Sequence, residues 1–127
     1  GAASLGFSRT DYEVTKDESV DVVITARGLP DDVAGVVTVR FRPDLVEAAN
    51  VSTGAGLASR IDNTKGQVEI DLTAQASGAG GQDLSTITFR ALKPGLSYLI
   101  FSNSFGSGPN IKMPANIDLG ASRIVVR

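Results

Sequence analysis

Apolar residues in this chain recur at every second position, in short runs cut by glycine and proline. That period of two confines it to β-structure. In Val20-Asp21-Val22-Val23-Ile24-Thr25-Ala26-Arg27, residues Val20, Val22, Ile24 and Ala26 fall on one side, with Asp21, Thr25 and Arg27 on the other. Val37, Val39 and Phe41 likewise oppose Thr38, Arg40 and Arg42. The cleanest run sets Val68, Ile70, Leu72 and Ala74 against Gln67, Glu69, Asp71, Thr73 and Gln75. Alternation of this kind gives a strand one buried and one wet face, whereas a helix needs apolar positions three and four apart.

The breaks between runs carry turn chemistry. Gly28-Leu29-Pro30-Asp31-Asp32 ends one strand, and Pro43, which has no N–H to give a ladder, ends another near Arg42. Asp44 to Ala49 reads as one helical turn or a bent strand start, Asn50-Val51-Ser52 as extended, and Thr53-Gly54-Ala55-Gly56 as a loop. Asp62-Asn63-Thr64-Lys65-Gly66 is a hairpin-like turn in which Gly66 can take a positive φ. The Gly, Ala and Ser stretch from Ala76 to Gln82 reads as a loop, followed by a strand with Ile87, Phe89 and Ala91 inward. Ser97 to Ser102 is nearly all apolar and is expected to be buried on both sides or to lie in the middle of a sheet. A long loop follows, with a short strand at Ile111 to Met113, before Ile124-Val125-Val126 closes the chain. Counting Leu5 to Val14, the pattern predicts an all-β, two-sheet sandwich of jelly-roll type with about eight or nine strands.

Composition narrows the chemistry. With 127 residues the chain is one domain long, and no internal repeat or composition shift divides it. It has no cysteine and no histidine, which removes thiol nucleophiles, disulfides, imidazole bases and the zinc sites that need them. A net charge of −2 gives no basic footprint for nucleic acid. No apolar run approaches the ~20 residues of a membrane span, so direct membrane insertion is not expected. Gly1-Ala2-Ala3-Ser4 reads as the remnant of a cleaved expression tag, leaving 5–127 as the domain.

Two stretches carry a resemblance. Ala34-Gly35 leads through a strand to Phe41-Arg42-Pro43-Asp44-Leu45-Val46-Glu47, and further along stands Leu84-Ser85-Thr86-Ile87-Thr88-Phe89-Arg90-Ala91-Leu92-Lys93-Pro94-Gly95. Together they resemble cohesin domains, which carry a Gly-led strand running into Asp-Pro-x-Val-Leu-Glu and then a Leu-Ala-Thr-Ile-Thr-Phe-Lys-Ala strand closed by a Gly-bearing turn. Thr15 to Val22 is similar to the family's Gly-Asp-x-Val-x-Val entry, and Asp62 to Val68 to its midway turn and strand. The chain departs from the pattern at Arg42-Pro43-Asp44, where the acid follows the proline instead of preceding it. It therefore resembles divergent cohesins of bacterial secretion, pilus or cell-surface proteins. The resemblance implies a nine-stranded sandwich that binds another protein, a dockerin being a calcium-loaded pair of helices, through a sheet face that includes the strand matching Val36 to Arg42. It also implies an exported, extracellular, surface or periplasmic setting.

On that expectation the outward rows supply the partner-binding candidates: Thr38, Arg40 and Arg42 on one strand, and Glu69, Asp71 and Thr73 on another. Mixed polar rows of this kind set specificity and on-rate, though any half-wet sheet presents them. Asp31 and Asp32, or Asp62 with Asn63, have oxygen ligands for calcium but lack dense Asp-x-Asp-x-Asp spacing, so turn formation is the expected role and no cofactor is expected. Glu69 and Asp71 lie about 7 Å apart on an ideal strand, inside the glycosidase range, yet an open sheet neither shifts a carboxyl nor excludes water. No enzyme is expected. Carbohydrate binding on the same scaffold is the rival reading, weakened by the absence of Trp and by Phe41, Phe89, Tyr98 and Phe101 lying within strands, which leaves Phe7, Tyr12 and Phe105 as candidate exposed rings. A third reading is an assembly or spacer domain that binds its own kind through a sheet edge.

Overall fold

The computed structural model describes residues 3–72 and 83–127. Two sheets face each other. One has the order β10-β1-β3-β8-β5, built from β1 (Ser4–Phe7), β3 (Ser19–Arg27), β5 (Val46–Thr53), β8 (Asp83–Ala91) and β10 (Asp118–Leu119). The other has the order β2-β11-β9-β4-β7-β6, from β2 (Tyr12–Val14), β4 (Gly35–Arg40), β6 (Ser59–Asp62), β7 (Gln67–Leu72), β9 (Gly95–Phe101) and β11 (Ala121–Val126). The all-β sandwich expected from the alternation is present, as five- and six-stranded layers.

The inward sets are those the period of two selects. Val22, Ile24, Val37, Val39, Val68, Ile70, Ile87 and Phe89 are all fully buried. Phe41 meets Phe89 edge-on at 5.1 Å, and Phe7 of the five-stranded sheet stacks on Phe101 of the six-stranded one at 4.7 Å, so aromatic pairs tie the layers together. The first and last segments each switch sheets: β1 to β2, and β10 to β11, with parallel pairings β1–β10 and β2–β11 closing the sandwich.

The Arg42-Pro43-Asp44 turn is fixed from three sides. Phe41 N–H donates to the Gly66 carbonyl, Arg42 N–H donates to Ser97 Oγ at 3.0 Å, and the Arg42 carbonyl accepts from both Leu45 and Val46 N–H. These bonds draw the chain out of β4 at Arg40, three residues before the proline. The segment after it is one tight turn followed by a strand, both forms that Asp44 to Ala49 suggested. Gly66 has φ +76°, and a Cβ there would stand 2.4 Å from the Phe41 carbonyl oxygen, so the turn needs glycine on two counts.

Three expectations are corrected or refined. Ser97 to Ser102 lies in the middle of a sheet, as β9 between β11 and β4, but is not buried on both sides: Ser97, Leu99 and Phe101 point inward, while Tyr98 and Ile100 are 55% and 51% exposed. Leu5 to Val14 forms two strands in different sheets, and with β6 and β10 this raises the described strands to eleven. Ile111 to Met113 contributes a single bridge, Ala34 to Lys112, and no strand. Of the first four residues, Ala3 is buried and Ser4 opens β1, paired with Arg27 and Asp118. The predicted extension of the β7 strand to Gln75 and the loop from Ala76 to Gln82 lie outside the described residues.

Candidate interaction face

The outer face of the six-stranded sheet gathers most of the predicted residues. Register places Arg60, Glu69 and Thr38 in one cross-strand row, and Asp62, Gln67, Arg40, Ile100 and Ala121 in the next. Tyr98 lies opposite Arg123 one row further on, and Asp71 opposite Val36 at the other end. Each row follows from strand pairing alone, because residues in register on neighbouring strands point the same way.

Their availability differs. Arg40 and Asp71 are exposed and make no side-chain bond or ion pair among the described residues. Glu69 is paired with Arg60 at 3.3 Å. Thr38 points outward but retains only 9% of its surface, so it supports the face more than it offers contact. Arg42 lies past the end of β4 and spends its guanidinium on Asp44, with contacts of 3.2 and 2.7 Å across the proline. That hydrogen bond holds the Asp44 carboxyl below the usual carboxylate range. Thr73 lies outside the described residues.

Tyr98 and Ile100 sit at the centre of this face and were missed in the sequence. Their strand is apolar at nearly every position, which points both of them to the core. The strand's own sequence does not distinguish its two faces, because Ser97 shares its parity with the inward Leu99 and Phe101 and Ser102 shares its parity with Tyr98 and Ile100. Ser97 is fully buried because its hydroxyl accepts from Arg42 N–H and donates to the Tyr98 carbonyl. At one end of the face Val36, Ser59, Arg60, Glu69 and Asp71 line a shallow cavity of about 300 Å³. The face thus offers a flat apolar centre, with an uncommitted cation beside it and an uncommitted anion at its end. Covering the exposed halves of Tyr98 and Ile100 would contribute about 1–2 kcal/mol each.

The other chemistries fit less well. Asp62 Oδ1 accepts from Thr64 and Lys65 N–H, and the Asn63 side chain bonds both the N–H and the carbonyl of Ala48 at 2.8 and 2.9 Å. Their polar atoms hold the turn and the neighbouring strand. No group of three or more acidic side chains stands together among the described residues. Of the rings proposed as exposed, Tyr12 is buried, and Phe7 and Phe105 pack against the core. Tyr98, placed in the core by its strand position, is the ring that is open. One ring among polar side chains does not make a sugar platform.

No protein-family model matches the chain, and no curated protein matches it. Solved structures do. A chain of a type I cohesin–dockerin complex from Clostridium thermocellum superposes with a TM-score of 0.76 at 11% identity, covering 100% of both chains. One from a complex of a cohesin with a dockerin from Acetivibrio cellulolyticus gives 0.72 at 15% identity, covering 98% of each. A non-cellulosomal cohesin from the archaeon Archaeoglobus fulgidus gives 0.68 at 8% identity, covering 100% of this chain and 92% of that one. The chain therefore has a cohesin-like fold, over its whole length and at low identity.

Proposed function

We propose that this domain is a non-catalytic protein-binding module that receives a dockerin-like helical partner on the outer face of its six-stranded sheet. The observation that carries the reading is the pair Tyr98 and Ile100, half exposed at the centre of an otherwise polar, regular sheet. Large apolar side chains left open at the centre of the sheet, with Arg40 uncommitted beside them and Asp71 at the end of the face, are what a buried anchor and a charged rim require. The fold supports the reading, since the structures it matches include cohesins solved in complex with dockerins. In this reading residues 5–127 act as one module, Thr38, Arg40, Glu69 and Asp71 surround the anchor, and Thr73 continues their row. Arg42 acts through the turn it forms with Asp44. The setting that suits such a module is an exported bacterial surface or secretion protein.

The test is titration of the domain against a panel of calcium-loaded dockerin modules, in parallel with a glycan array. At least one dockerin is expected to bind, and the array to stay blank. Binding confined to glycans would overturn the reading.

A further inference from the structure

Among the described residues the two sheets end in four edge strands, and three of them are protected. β10 has two residues and β2 three, too short to template another chain. β5 is longer, but its edge is occupied: the Asn63 amide bonds the N–H and carbonyl of Ala48, beside a bulge between Ala48 and Asn50. β6 has neither device.

Its hydrogen-bonding phase is set by its neighbour. Asp71 N–H donates to the Ala58 carbonyl, in register with Arg60 opposite Glu69 and Asp62 opposite Gln67. In an antiparallel ladder only alternate residues bond a given partner, so the N–H and carbonyl groups of Ser59 and Ile61 point to the open side. No described residue bonds them. Ile61 is 36% exposed, and among the described residues only Tyr98 and Ile100 are large apolar residues with more surface open.

The sequence of this edge is complementary to itself. If two copies of Ser59-Arg60-Ile61-Asp62 align antiparallel about a two-fold axis at Ile61, the two Ile61 residues exchange both backbone hydrogen bonds. Arg60 of each then faces Asp62 of the other. In the isolated domain Arg60 is largely exposed and touches only Glu69, and Asp62 uses Oδ1 for its turn, leaving Oδ2. Arg60 and Asp62 both lie on the outer side of the sheet, so both cross-pairs form on the same side.

We propose that β6 is a homodimerisation edge, joining two copies through a two-fold at Ile61 into one continuous sheet. The pairing is isologous, so it closes at two copies and does not propagate. A four-residue edge falls well short of the ~1,200 Å² of a stable interface, so the dimer is weak alone and favoured where copies are held close. It places the two outer faces side by side, each with its own Tyr98 and Ile100, and so presents a bivalent surface.

The chain has no cysteine, which makes the register directly readable by introducing one. At the proposed axis the two copies of position 61 have Cα atoms about 5.5 Å apart, within disulfide reach, whereas the two copies of position 59 are about 14 Å apart. Under mild oxidation Ile61→Cys is expected to form a covalent dimer and Ser59→Cys none. By sedimentation, the unmodified domain is expected to show concentration-dependent dimer, lost in R60E and in I61P. Proline at 61 removes an N–H that β7 does not use, so I61P should keep its far-UV spectrum. A domain that stays monomeric up to its solubility limit, with I61C cross-linking no faster than S59C, would overturn the proposal. Neither result depends on whether the outer face binds a dockerin.

Discussion

Asn63 shows how much one side chain can do without touching a ligand. The spacing of Asp62-Asn63-Thr64-Lys65-Gly66 announces a turn, and Asp62 with Gly66 forms it as turn chemistry predicts. Nothing local says that the Asn63 amide spans 15 residues to act as a strand for Ala48, because that contact exists only once the two sheets have met. Ala48 is buried, so truncating Asn63 leaves a backbone N–H and carbonyl without partners. N63A is expected to lose about 2 kcal/mol of stability by urea unfolding. N63D should not restore it, because a carboxylate accepts from the Ala48 N–H but repels the carbonyl. Tyr98 is the opposite case, since its ring is legible as apolar but its exposure is not. A tyrosine serves a core and an interface equally well, and only the pairing of β9 with β11 and β4 sets which way it points.

Strands with one buried face were readable because burial imposes the period: β3, β4, β7 and β8 have the inward residues the alternation assigns. β9 lies in the middle of its sheet, one of the two places its apolar run suggests, but that run does not show which face is open, because both faces are apolar. Strands β2, β6 and β10 have two to four residues each, too few to show a period, so pairing alone defines them. β2 depends on β11 for more than its ladder. Arg123 bonds Asp11 just before β2, and Arg127 bonds Glu13 at 3.0 Å. These hydrogen bonds hold both carboxyls below their usual range. A depressed carboxyl stabilises the fold above its unfolded value, near pH 4, and loses that contribution as pH falls through the folded value. The melting temperature is therefore expected to be flat from neutral pH to about pH 5 and to decline below about pH 4. D11N/E13Q should decline less. The pairs are exposed, so the difference is small and shrinks further in high salt.

Across the whole molecule, alternation specified two layers but not which strand neighbours which. The order β2-β11-β9-β4-β7-β6 brings together residues from six separate parts of the chain. The resemblance to cohesins implied a sandwich with a binding face but no strand order, and the likeness of fold holds at 8 to 15% identity in the structures compared. The polar rows of the face were legible, because β4 and β7 alternate, but its apolar centre on β9 was not. The most direct measurement of partner binding on this face is the affinity of the best-binding dockerin for three forms: the unmodified domain, Y98A/I100A, and N50K/S52K, which alters exposed positions on the opposite sheet. Loss of two anchors should weaken binding by about 3 kcal/mol, on the order of a hundredfold, with the melting temperature unchanged. The opposite-face variant should bind as the unmodified domain does. Equal binding by Y98A/I100A, or loss only in N50K/S52K, would mean that the partner does not dock on this face.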